Sequence, residues 1–293
     1  MMDTRESTVK WRQKSRIRSI VNTFVSSLSA LKAPVVALPS IIYFILHLSI
    51  MFVYLNLQIE AFQSFWALFV GRINPEIFTH YPHHIILMQS VLGRFDIFLD
   101  IFIHIIIQGA TVIMVGTFLT GGNPSAFRSF SLTLSRYGHL LAVSIISSGA
   151  IFLTINISEM VASYLNPGVR LIAAGISVII ALMIQAVFVY TTPFILLESE
   201  DAFSSIRRSY RLALSFAPLT SLLVIIPFVL TLPSVLLDIK AEMIAFRLSP
   251  DFIIYNHAMG ELLQTIATYL ITAGSAVIVI KYRRKLLDDA DDI

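Results

Sequence analysis

The stretch from Arg94 to Thr120, "RFDIFLDIFIHIIIQGATVIMVGTFLT", decides the fold. Its apolar run, at about 97–121, is long enough to cross a bilayer, whose hydrocarbon core takes roughly 20 residues of helix. Yet a polar residue recurs at every fourth position: Asp96, Asp100, His104 and Gln108. Residues four apart share one face of a helix, each about 6 Å further along. Ionisable groups are costly in lipid, so this face asks for partners on other helices.

The rest of the chain agrees. Its 293 residues are 56% hydrophobic and only 13% charged, with a mean hydropathy of +0.80. A soluble domain carries about a quarter charged residues, so there is too little polar surface here to cover a water-soluble globule. Five further runs have membrane-spanning length: about 34–57, 139–161, 169–197, 216–237 and 258–281. Backbone in lipid must satisfy its own hydrogen bonds, so the expectation is an all-α integral membrane protein with six spans. Three parts follow: a basic amphipathic segment at 1–32, a membrane domain at 33–285 and an acidic tail at 286–293. The first 32 residues are polar and basic, unlike a cleavable signal peptide, so the run after them reads as an uncleaved span. Cysteine is absent, which excludes disulfides, thiolate nucleophiles and cysteine-ligated metals.

Positive charge sets the expected orientation. Sixteen Lys and Arg residues fall in the N-terminal tail, the segments between spans 2 and 3 and between spans 4 and 5, and the C-terminal end; only Arg72, Arg94, Arg170, Lys240 and Arg247 fall opposite. Both termini are therefore expected in the cytoplasm.

Three cytoplasmic stretches are amphipathic at helical period. In the first, Ile17, Ile20, Val21, Phe24, Leu28 and Leu31 share a face. In "NPSAFRSFSLTLSR", Asn123 is the expected cap, Pro124 the first turn, and Phe127, Phe130 and Leu134 align. In "SEDAFSSIRRSYRLAL", Phe203, Ile206, Tyr210 and Ala213 oppose Arg207, Arg208 and Arg211. Such helices lie at the headgroup boundary, with Arg128, Arg207, Arg208 and Arg211 favouring anionic lipid. They also resemble one another. "AFRSF" (126–130) echoes "AFSSI" (202–206), and "LSALKAPVVALPSII" (28–42) echoes "LALSFAPLTSLLVII" (212–226). The expected layout is three units, each an interfacial helix followed by a helical hairpin.

The third unit resembles the YciC-like bacterial inner-membrane family, through Pro193, Phe203, Ser205, Ile206, Arg207, Ser209, Arg211 and Leu212. A similar signature occurs in the membrane region attached to some glycerophosphodiester phosphodiesterases. The resemblance implies a fold and a bacterial cytoplasmic membrane, and it carries no activity.

No soluble-enzyme motif appears: no GxSxG, no phosphate-binding glycine loop, no HExxH. What remains is polar residues within spans. Span 6 places His257, Glu261, Gln264 and Thr268 on one face; span 3 ends with Asn156 and Glu159; the outer loop carries His80, His83 and His84. Asp100, His104, His257 and Glu261 are the candidate metal ligands, because His with carboxylates suits zinc. Asp96, Gln108, Glu159 and Gln264 extend them into a polar slot in the outer half. His47 and Gln185 read as packing residues. The leading expectation is a structural or lipid-associated accessory protein that needs no cofactor. A solute, ion or lipid transporter using the slot is the first alternative, and a metal-dependent membrane hydrolase the second.

Overall fold

The computed structural model describes residues 21–56, 59–62, 64, 83–164, 166–240, 243, 247 and 249–291. Every regular element among them is helical. Six helices are long and apolar enough to cross a membrane: Pro34–Leu55, His84–Leu119, Tyr137–Val161, Ile172–Leu197, Ala217–Leu237 and Asp251–Tyr282, called spans 1 to 6. The expectations for residues 1–20, Trp66, Arg72 and His80 lie outside the described residues.

Span 2 departs most from expectation. It begins some 13 residues before the apolar run, taking in His84, Gln89 and Arg94. At 1.5 Å per residue its 36 residues reach about 54 Å, well beyond a hydrocarbon core of about 30 Å. The added turns are helical because they are packed. Ile85, Met88, Val91, Leu92 and Phe95 form an apolar cluster with Ile50 and Tyr54 of span 1 and Ile253 of span 6. The Tyr54 hydroxyl donates to the His84 carbonyl at 2.7 Å. This cluster closes one end of the bundle, where span 1 finishes and spans 2 and 6 begin. A second cluster, of Ala30, Val36, Val112, Met114, Val115, Ala273, Ala276 and Val277, closes the other. Association inside lipid gains little from the hydrophobic effect, so small residues that let helices approach do much of the work. A methyl group on Gly274 would stand 2.5 Å from Leu223 of span 5.

Within span 2, Asp100–His104 forms a π turn, so the polar stripe sits on the one irregular part of the helix. A π turn leaves carbonyls poorly served by the helix. Span 3 serves two of them: Tyr137 donates to the Phe102 carbonyl and Ser144 to the Ile101 carbonyl, each at 3.2 Å.

Three short helices flank the spans. Residues 21–29 form the first; Ala126–Ser135 and Ala202–Ser215 are the second and third. Each buries a hydroxyl pair at i and i+4: Thr23 with Ser27, Ser129 with Thr133, and Ser205 with Ser209. Each turns apolar side chains outward, among them Val25, Phe127 at 87% exposed and Phe203 at 77%. The second helix starts later than expected. Ser125 occupies its N-cap, because Asn123 and Pro124 still belong to the turn from span 2. The third is capped by Asp201, whose carboxylate accepts from the Phe203 and Ser204 amides.

Candidate functional site

Spans 1, 2 and 6 bring ionisable side chains together between the two apolar clusters. His47 is eight residues from the end of span 1, about 12 Å of helix, so it lies within membrane depth. Its Nδ1 stands 2.8 Å from Glu261 Oε2 of span 6 and 3.4 Å from Asp96 Oδ1 of span 2. Ligand atoms of all three lie within 4.8 Å of one another. His47 is only 7% exposed, and its Nε2 is buried with no hydrogen-bond partner. His257, one turn before Glu261, places Nε2 3.9 Å from Glu261 Oε1.

A second cluster adjoins the first. Asp100 Oδ1 accepts from the Tyr43 hydroxyl at 2.7 Å and stands 3.3 Å from His104 Nδ1. His104 Nε2 then faces the Gln108 amide nitrogen at 3.4 Å. With that nitrogen donating, the imidazole proton sits on Nδ1 and points at Asp100. Tyr43 ties the clusters together. Its ring stacks on His104 at 4.8 Å and meets His47 edge-on at 4.4 Å.

Both clusters open into space. One cavity of about 270 Å³ is lined by Tyr43, His47, Asp96, Thr231, Ser234, His257 and Glu261 among others. A second of about 250 Å³ is lined by His104, Gln108, Ser144, Ser147, Gln185, Thr192 and Ser275 among others. Asp100 and Gln264 stand in the walls of both. Together the cavities follow span 2 from Gly93 to Val112 and span 6 from His257 to Ser275. Each is about 27 Å of helix, close to the thickness of the hydrocarbon core.

Prolines shape the first cavity's wall. Pro227 and Pro233 lie inside span 5 and supply no backbone donor. Between them Thr231 turns its hydroxyl back to the Pro227 and Phe228 carbonyls at 3.3 and 3.1 Å. Asn256 of span 6 donates to the Ser234 carbonyl at 3.3 Å.

The expected metal quartet is thus divided. Asp100 and His104 pair with each other, Glu261 and His257 face each other, and Tyr43 and His47 of span 1 touch members of both pairs. Among the described residues the three-ligand group is His47, Asp96 and Glu261. Asp96, expected in the slot, lines the first cavity, twelve residues into the longer span 2. Gln108 and Gln264 line the cavities; Glu159 is exposed at the far end of span 3 and lines neither. Gln185, read as packing, lines the second cavity. His47 was read as packing too. The signal that would have raised it is Tyr43–His47, a phenol and an imidazole four apart in span 1.

Of the four arginines expected to face lipid, Arg128, Arg207 and Arg211 are exposed. Arg208 instead turns inward. It bridges Glu198 and Glu200 and lies 4.8 Å over the Phe194 ring. Hydrogen bonds from Ser204 and Arg208 hold the Glu200 carboxyl below its usual range. Ser199 between the two glutamates has φ +59°, the left-handed region.

Comparison with known proteins finds no matching family model, no similar curated protein and no similar solved structure.

Proposed function

We propose that the protein is a carrier for a small cation, in a bacterial cytoplasmic membrane, with the chamber between spans 1, 2 and 6 as its binding site. One observation carries this reading: two neighbouring cavities, with Asp100 and Gln264 in the walls of both, follow spans 2 and 6 for about the thickness of the hydrocarbon core. Three carboxylates and three imidazoles line them, with no Lys or Arg in either wall among the described residues. Such a lining attracts positive charge and repels anions. An accessory or lipid-organising role, the first expectation from sequence, has no use for a charged chamber at this depth.

The finer assignments belong with this proposal. Both termini in the cytoplasm is supported by the sixteen-to-five charge bias. The three-unit layout is supported by the hydroxyl pair that recurs on each short helix. Kinship with the YciC-like family rests on the motif from Pro193 to Leu212. Contact with anionic lipid is supported by the exposed Arg128, Arg207 and Arg211 beside the outward Phe127 and Phe203. Because the chain lacks cysteine, single cysteines placed in the connecting segments report sidedness without background.

The test is flux. Purified protein in liposomes is assayed for uptake of monovalent and divalent cations with trapped indicator dyes. Saturable uptake that falls at least about tenfold in Gln264→Leu, but not in Glu159→Gln, is the expected result. Uptake equal to that of empty liposomes for every cation sinks the proposal.

A further inference from the structure

We infer that His47, Asp96 and Glu261 ligate a divalent first-row transition-metal cation of the zinc or manganese type. The identity of this ion as cargo rests on the carrier reading; its binding rests on geometry alone. Metal–ligand bonds of about 2.0–2.2 Å separate neighbouring ligand atoms by about 3.0 Å at right angles and about 3.4 Å at tetrahedral angles. His47 Nδ1 lies 2.8 Å from Glu261 and 3.4 Å from Asp96. The three ligand atoms lie within 4.8 Å of one another, so both carboxylates reach a common point beside Nδ1 once the side chains draw together by up to about an ångström.

Hydrogen bonding alone accounts poorly for the same cluster. Nδ1 carries at most one proton and can direct it at one carboxylate. The other carboxylate, at similar range, is left facing it without a donor from that nitrogen. Charge points the same way. Asp96, Asp100 and Glu261 line the first cavity, and among the described residues no Lys or Arg does. Carboxylates held in a low-dielectric site need a counter-charge, and a dication supplies it to two of them at once.

The donor set narrows the ion. One imidazole and two carboxylates suit borderline metals, and the absence of cysteine disfavours soft cuprous copper. Mg²⁺ and Ca²⁺ prefer all-oxygen shells. Three protein ligands leave coordination positions open toward the cavity, where Ser234 and His257 stand in the lining. Asp100, in the walls of both cavities, and His104, in the second, stand next along span 2.

The experiment uses the full chain, purified through a tag that contains no histidine and held in nanodiscs. Titration calorimetry with ZnCl₂ and MnCl₂ is expected to give one saturable site per chain, undisturbed by excess MgCl₂. His47→Ala, Asp96→Asn and Glu261→Gln should each weaken it by about 30-fold or more, and Asp100→Asn by less than about threefold. Asp96→His keeps a ligand in place and should retain binding. Its Co²⁺ complex should show altered visible absorption relative to the unsubstituted chain, a readout that loss of folding does not mimic. Absence of a saturable site, or equal binding in the His47/Asp96/Glu261 triple variant, overturns the inference. Liposome flux separates it from the carrier reading. Saturable metal binding without flux of any cation upholds the site and defeats the carrier; flux of other cations without metal binding does the reverse.

Discussion

Spans 1, 2 and 6 and the hairpin of spans 3 and 4 are all strongly apolar, with mean hydropathies from 1.7 to 2.6, yet they treat polar residues in opposite ways. In the apolar 18-residue stretch of each, 67% of span 6 is buried in the protein, against 6% of span 4. Glu159 and Asn156 of span 3 face outward, and the Asn156 amide bonds only to its own helix, at the Phe152 carbonyl. Glu261 and Asp96 are held by His47 instead. The same residue types form a site only where neighbouring helices shield them from lipid and hold each one at a fixed distance. The hairpin lines the second cavity with Ser144, Ser147, Gln185 and Thr192 but brings no charged group to it, and its Tyr137 and Ser144 hydroxyls hold the π turn.

The sharpest test of this contrast removes one carboxylate from each region. Glu261→Gln is expected to cut cation binding and flux by at least about tenfold, whereas Glu159→Gln changes neither; isotope uptake into liposomes measures both. Next in size is backbone approach. Gly109 of span 2 has no room for a methyl group, because the Thr133 side chain is packed against it. Gly109→Val should therefore destabilise by about 2–3 kcal/mol, the cost of overpacking. Gly175→Ala in span 4, where nothing lies within 4 Å, should be neutral or stabilise by about 0.5–1 kcal/mol. Thermal unfolding in detergent followed by circular dichroism ranks the two.

The link between the regions is weaker. Tyr137→Phe and Ser144→Ala should each cost about 1 kcal/mol, the net worth of one hydrogen bond, and should raise amide exchange at residues 100–106 without touching span 4. Smallest is the bridge from Arg208 to Glu198 and Glu200. Glu200 is held below the usual carboxylate range by Ser204 first and Arg208 second. A lowered folded-state value means the contribution is present at neutral pH and is lost as pH falls through that value. The melting temperature of the unsubstituted chain should exceed that of Arg208→Gln at pH 7, and the gap should close in acid.

How much of this was legible follows from what hydropathy can report. Six spans were legible because each needs only a long apolar run. The first third of span 2 was not, because His84, Gln89 and Arg94 break the run. Its helix is held by contacts with Tyr54 and Ile253, which are distant in sequence. The stripe Asp100–His104–Gln108 was legible as a face, since spacing of four is local. The grouping of Glu261 with His47 and Asp96 was not, because it joins three spans distant in sequence, and a solitary His47 has no periodicity. The short helices announced their aromatic faces. Their hydroxyl pairs were silent, because burial of Ser129 or Ser205 depends on what lies opposite.

The π turn has one more consequence. It amounts to one residue too many for an α-helix, so it sets the two halves of span 2 out of phase by about 100°. The half before it aims Asp96 at His47; the half after it aims Gly109 at Thr133. Deleting a single residue between them, Ile101 for instance, would leave hydropathy and span length almost unchanged while turning every later side chain to a new neighbour. Chains of the same oily composition need not share this chamber, and the thirteen-residue interval from Asp96 to Gly109 is the measure by which to tell them apart.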